Sequence, residues 1–190
     1  MERIRSFIAV SVNKPDIVDK ICRVQEELSR CGGRLKLVES ENLHITLRFL
    51  GEVLESQLQQ VYEKVLLKLE WRPFLVRLKG VGAFPNERRP RVVWIGVEEG
   101  HDELIDLSRQ IENGLRKLGF PKESKEFHPH VTIARVKIPG NVGSLGKLFS
   151  AYREFVFGEF TVEKVELKKS VLTPKGPIYS TLKEVGPKMV

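Results

Sequence analysis

The sequence predicts an α+β fold in which two lobes of largely antiparallel sheet, with helices outside, flank a central cleft. Three observations carry this expectation. Strand-like and helix-like segments alternate, yet hairpin-like strand pairs also occur, which argues against a purely parallel sheet. The tetrapeptides His44-Ile45-Thr46-Leu47 and His130-Val131-Thr132-Ile133 repeat one pattern in two strand-like contexts. The spacing repeats as well, since 37 residues separate Phe7 from His44 and 36 separate Trp94 from His130.

The first half opens with an apolar strand over Arg3–Val12. Pro15 then begins a helix reaching about Arg30, with Ile17, Ile21, Val24 and Leu28 at helical spacing on one face. A polar connection leads to a strand over Asn42–Leu50 that carries the first tetrapeptide. After Gly51 the pattern predicts a helix over about Glu55–Glu70 and a strand over Phe74–Phe84. The second half follows the same plan. A strand over Arg91–Val97 precedes a helix carrying Leu104, Leu107, Ile111, Leu115 and Leu118, which Gly119 stops, and a strand over Phe127–Val136 carries the second tetrapeptide. Pro139-Gly140 breaks the chain before a short helix over about Gly143–Tyr152 and strands across Phe155–Lys169 and Ile178–Val185. No low-complexity linker separates the halves, so residues 1–190 read as one catalytic domain of two pseudo-repeated lobes.

The repeated pattern carries the chemistry. Residues two apart in a strand share a face, so His44 with Thr46, and His130 with Thr132, project together while Ile45, Leu47, Val131 and Ile133 enter the core. With only 4 histidines and 5 threonines in 190 residues, a Thr two places after a given His arises by chance at roughly 3%. Two occurrences in matched contexts are therefore informative. Facing each other in the cleft, the units would supply a general base, a general acid and two hydroxyl donors for an anion between them.

Composition narrows the class. With 41% hydrophobic and 30% charged residues the chain is an ordinary globular protein, and no apolar run approaches a membrane span. The opening Met-Glu-Arg-Ile-Arg-Ser-Phe lacks a signal-peptide cleavage site and reads as a strand, and Cys22 and Cys31, nine residues apart along the first helix, cannot bridge. A cytoplasmic protein with free thiols and no bound cofactor is the expectation. The net charge of +7 points to a polyanionic partner.

Around the tetrapeptides, Arg48 lies four residues after His44 and so on its face, where it could meet a phosphate. Arg135 lies five after His130, the wrong parity unless the strand bends. Phe7 and Tyr179 are candidates for stacking on a base. His128-Pro129-His130 offers a second reading, two imidazoles on one face completed to a zinc site by His44 or a carboxylate, hence a metal-dependent phosphoesterase. A noncatalytic RNA-binding module is a third, but it leaves the repeated titratable pair idle.

The paired tetrapeptides 86 residues apart, together with Arg5-Ser-Phe-Ile-Ala-Val10, Leu43-His-Ile-Thr-Leu-Arg-Phe-Leu-Gly-Glu52 and Leu172-Thr-Pro-Lys-Gly-Pro-Ile-Tyr179, resemble the two-histidine (2H) phosphoesterases. Within them the chain is similar to the RNA 2′,3′-cyclic phosphodiesterases, also named 2′-5′ RNA ligases, of bacteria and archaea. The resemblance implies a bilobal 2H fold and a metal-independent reaction on RNA ends bearing a 2′,3′-cyclic phosphate, tRNA fragments being one candidate source. It also implies His44 as the acid that protonates O3′, His130 as the base that activates water, and Thr46 and Thr132 as phosphate ligands. A monomer yielding 2′-phosphate ends, with 2′-5′ ligation open to the same geometry, is the overall expectation.

Overall fold

The structure, a computed structural model, describes residues 2–188, so the domain read over 1–190 extends outside it only at positions 1, 189 and 190. Among the described residues the strands are β1 (Arg3–Ser11), β2 (Arg34–Leu37), β3 (His44–Leu54), β4 (Phe74–Phe84), β5 (Val92–Glu99), β6 (His130–Ile138), β7 (Val156–Val162), β8 (Val165–Thr173) and β9 (Gly176–Val185). The helices are α1 (Pro15–Ser29), α2 (Glu55–Lys64), α3 (His101–Lys117) and α4 (Val142–Tyr152).

The strands form one antiparallel sheet in the order β7-β4-β5-β6-β3-β1-β8-β9, with β2 added beside β6. This order is a palindrome about the β6–β3 seam. On either side of that seam lies a strand with a His-x-Thr tetrapeptide, then the strand that began the corresponding half of the sequence, then two outer strands. The pseudo-twofold relation expected from the 37- and 36-residue spacings is thus built into the sheet. The seam itself is thin, with Ile45 opposite Val131 as its one backbone pair among the described residues.

Two lobes meet at the seam, and they are not the two halves of the sequence. The lobe of the first tetrapeptide holds β1, β3, β8 and β9. The other holds β4, β5, β6, β7 and β2. Helices cross over in the same way: α1 packs on β6, β2 and β7, while α3 packs chiefly on β3. Their apolar faces, Ile17, Ile21, Val24 and Leu28 in α1 and Leu104, Leu107, Ile111 and Leu115 in α3, join Ile45, Val131 and Ile133 in a single core. Burial of this many branched side chains, each contributing about 1.5–3 kcal/mol relative to exposure, is what holds the helices against the sheet.

Four elements differ from the sequence expectation, one being the strand read over Phe155–Lys169, which breaks at residues 163–164 into β7 and β8 on opposite sides of the seam. The polar connection after α1 contains β2, whose four residues Arg-Leu-Lys-Leu alternate for too short a run to register as a strand. The second helix ends at Lys64, not Glu70, and a single 3₁₀ turn over Leu66–Lys68 buries Leu66 in its place. The motif-bearing β6 begins at His130, not Phe127, because residue 128 precedes Pro129 and the chain there stays irregular.

Candidate active site

Both tetrapeptides are anchored in the same way. His44 Nδ1 lies 2.6 Å from the carbonyl oxygen of Asn42, and His130 Nδ1 lies 2.6 Å from that of His128, each acceptor two residues earlier. Since a carbonyl only accepts, each Nδ1 carries the proton and donates, which leaves Nε2 as the reactive nitrogen of both rings. Antiparallel order about the Ile45–Val131 pair turns His44 toward Thr132 and Thr46 toward His130. The two imidazoles and two hydroxyls therefore border one space at the seam.

The two histidines differ in their surroundings. His44 Nε2 lies 2.9 Å from Thr46 Oγ1, whereas His130 Nε2 has no protein partner among the described residues. Around His44 sit Phe7, at 5.0 Å between ring centres, and Tyr179, edge-on at 5.5 Å. His130 is met edge-on by Phe84 at 5.2 Å. Burial pushes the His44 pKa down to about 4; the bond to Asn42 opposes this, and the charges of Lys168, His130 and Arg135 add to it. Burial also lowers the pKa of His130, with the bond to the His128 carbonyl opposing and His128 and Arg135 adding.

Matching irregularities in β3 and β6 decide which arginine reaches this space. In β6, Trp94 pairs with Thr132 but Val93 pairs with Ala134, so Ile133 is an extra residue. In β3, Ala9 pairs with Thr46 but Ile8 pairs with Arg48, so Leu47 is extra. Each is a β-bulge one residue past the Thr, and each reverses the alternation that follows. Arg135 is thereby brought onto the face of His130 and Thr132, and its charge acts on His44, His130 and Tyr179 alike.

Arg48 is carried the other way, contrary to the expectation that it shares the face of His44. Its guanidinium lies on the helix side, with Nε 2.8 Å from Glu112 of α3 and Nη2 2.6 Å from the Pro121 carbonyl. The residue that takes its place on the site face is Phe49, 54% exposed and 6.0 Å from Phe7. Parity counting missed Phe49 for the same reason that it favoured Arg48. Lys168, which the sequence marks only as one of the basic cluster Lys168, Lys169 and Lys175, is buried on β8 with Nζ 3.2 Å from Ser11 Oγ and 3.5 Å from Glu166, close enough for its charge to act on His44.

Phe7 and Tyr179 are both at the site, but in different roles. Phe7 is only 3% exposed and packs against both His44 and Tyr179, so its ring is used within the protein and is closed to a ligand. Tyr179 is half-buried. His128 does not share the strand face of His130. It stands before β6 with its ring toward Glu126 at 3.7 Å, and among the described residues no three His, Cys, Asp or Glu side chains are grouped to hold a metal ion.

Comparison with known proteins agrees with this architecture. The chain is 43% identical over 169 residues to an RNA 2′,3′-cyclic phosphodiesterase of Aeropyrum pernix, covering 89% of this chain and 96% of that one. It is 45% identical over 179 residues to a protein of the same name from Archaeoglobus fulgidus, covering 94% and 98%. Among solved structures, the protein TT0787 of Thermus thermophilus superposes with a TM-score of 0.80 at 31% identity, over 96% of this chain and 97% of that one. Escherichia coli LigT complexed with 3′-AMP superposes with a TM-score of 0.77 at 25% identity, over 99% and 100%. The model of the 2′-5′ RNA ligase superfamily matches residues 17–171, a stretch that includes both histidines, both threonines and the bulges after them, and the chain belongs to that superfamily.

Proposed function

We propose that the protein hydrolyses 2′,3′-cyclic phosphate ends of RNA to 2′-phosphate ends by in-line displacement between two histidines. The observation that carries this reading is the shared anchor: two imidazoles, each fixed through Nδ1 by a carbonyl two residues back, present their Nε2 atoms across one seam. Opening a cyclic phosphodiester needs a proton taken from the nucleophile and one given to the departing alkoxide on opposite sides of phosphorus. His130 Nε2, free of protein partners among the described residues, takes the proton from water; His44 delivers one to O3′. The hydroxyls of Thr46 and Thr132 and the guanidinium of Arg135 meet the charge that develops on the nonbridging oxygens. Phe49 offers an exposed ring to the base of the same nucleotide.

The names of the related proteins and the 3′-AMP bound by LigT support a ribonucleotide substrate. The free thiols Cys22 and Cys31 fit a reducing compartment, the cytoplasm. Among the described residues no helix is long and apolar enough to cross a membrane.

The reading is tested by incubating the protein with a short RNA ending in a 2′,3′-cyclic phosphate in excess EDTA and locating the product phosphate. A 2′-phosphate formed at the chelator-free rate is the expected result. Loss of turnover in EDTA would favour the metal-dependent alternative, and binding without turnover the noncatalytic one.

The lowered histidine pKa values set the pH dependence. Productive free enzyme holds one protonated and one neutral imidazole, and its population peaks midway between the two pKa values, whichever ring owns which. Both values lie below the ordinary 6.5, so kcat/KM should peak on the acid side of pH 6.5. An anionic phosphate between the rings favours their charged forms, which moves the alkaline limb of the kcat profile above that of kcat/KM. Superimposed profiles with an optimum above pH 7 would contradict the two depressed imidazoles.

Arg48 separates stability from chemistry. Arg48→Leu removes bonds to Glu112 and the Pro121 carbonyl and leaves the partly buried Glu112 without its guanidinium, so stability should fall by about 1–3 kcal/mol. Hydrolysis by the folded variant should stay within about threefold of the parent, because the side chain points away from the phosphate. A large loss of kcat at unchanged thermal stability would return Arg48 to the site.

A further inference from the structure

The face of β4 and β5 beyond His130 holds a second aromatic platform. Trp94 lies opposite Thr132 in the sheet, and Phe84 bridges Trp94 and His130, 5.2 Å from each ring. The indole lies over two glycines, Gly82 opposite it on β4 and Gly96 two residues on along β5: a β-carbon at Gly82 would fall 2.5 Å from Cζ2, and one at Gly96 would fall 3.5 Å from Cζ3. The indole N–H is buried and meets no acceptor among the described residues, so shape alone holds the ring. Its open side lines a cavity of about 640 Å³, bordered by Lys79, Arg88 and Arg153.

The charges at this cavity are unequal. Lys79 is bound by Glu98 at 3.0 Å and Glu154 at 2.9 Å, and Arg153 by Glu87 at 3.3 Å. Arg88 has no carboxylate partner among the described residues, and the turn that presents it is fixed by the Asn86 side chain, which accepts from the backbone N–H groups of Arg88 and Arg89 at 3.1 and 3.0 Å. An aromatic plane and one uncompensated guanidinium, held on a braced turn, match a nucleoside with a phosphodiester attached.

We infer that the Trp94–Arg88 cavity binds the nucleoside whose 5′-hydroxyl attacks the cyclic phosphate, making it the acceptor subsite for 2′-5′ joining. The inference rests on the role assignment above. In-line geometry puts the departing O3′ beside His44 and the incoming nucleophile beside His130, and the Trp94 platform lies on the His130 side. The balance is complete without a cofactor: the 5′-oxygen bonds to phosphorus, its proton passes to His130, the P–O3′ bond breaks, and His44 protonates O3′. Water entering in place of the 5′-hydroxyl needs no platform, so hydrolysis does not use the cavity.

The experiment presents an RNA with a 2′,3′-cyclic end and a 5′-hydroxyl oligonucleotide at millimolar concentration, and measures the ratio of 2′-5′-joined to hydrolysed product. Trp94→Leu should lower that ratio by roughly tenfold or more, since stacking on one base carries an effect of this order. Trp94→Phe should keep most of it, and Arg88→Glu should lower it severalfold with hydrolysis of a cyclic mononucleotide within about threefold of the parent. In a Trp71→Phe background, where Trp94 is the remaining one of the 2 tryptophans, the dinucleotide ApA should quench the fluorescence. An unchanged ratio in both Trp94→Leu and Arg88→Glu, no quenching, or a parent enzyme that hydrolyses but never joins would overturn the subsite. Absence of hydrolysis by the parent would instead overturn the reading on which it rests.

Discussion

His44→Ala and His130→Ala should each reduce hydrolysis of a cyclic-ended RNA by roughly 10²–10⁴-fold, the range associated with one positioned acid or base. The two losses should not multiply. Each histidine serves the same transition state, so once one proton transfer is lost the other group has little left to assist, and the double variant should be little slower than either single. The His44 variant also carries a thermodynamic signature. An imidazole that titrates near 6.5 when unfolded and about 4 when folded contributes stability above pH 6.5 that is lost progressively as pH falls through 4, because the unfolded chain binds the proton first. His44→Gln should flatten the stability curve over that window, and the measurement confirms that the variant is folded while its turnover is gone. Near-normal turnover in either alanine variant would remove the two-histidine mechanism.

The roles of acid and base separate through the leaving group. A substrate that expels nitrophenolate needs no proton on its leaving oxygen, so His44→Ala should recover most of its lost rate with such an ester, a gain of up to roughly the same two to four decades. His130→Ala should recover nothing, since water still has to lose a proton. The structure supports this asymmetry: Nε2 of His130 has no protein partner among the described residues, while Nε2 of His44 is engaged by Thr46. Rescue of His130→Ala in place of His44→Ala would exchange the assignments. Rescue of neither would make both rings phosphate ligands and no more.

Much of the architecture was legible because it rests on periodicity. The apolar faces of α1 and α3 and the strands around the two tetrapeptides follow from spacing alone, and His44, Thr46, His130 and Thr132 do border one space. What parity could not supply was the residue after each Thr. A bulge leaves no local signature in Leu47 or Ile133, yet it sends Arg48 to Glu112, brings Arg135 to the phosphate side and exposes Phe49. The Lys168–Glu166–Ser11 cluster was equally hidden, since it joins β1 to β8 across 157 positions of sequence.

The exchange of elements between the lobes governs how this molecule loses its structure. Severing the chain at the β4–β5 turn would give neither fragment a whole lobe: the first would carry β4 and α1 without β5 and β6, and the second β8, β9 and α3 without β1 and β3. Each half completes its partner's core, so a thermal melt followed by circular dichroism and by Trp fluorescence should show one coincident transition despite a seam only one backbone pair wide among the described residues. The same weave is what a pair of identical subunits would leave behind if they had traded helices and outer strands before becoming one polypeptide.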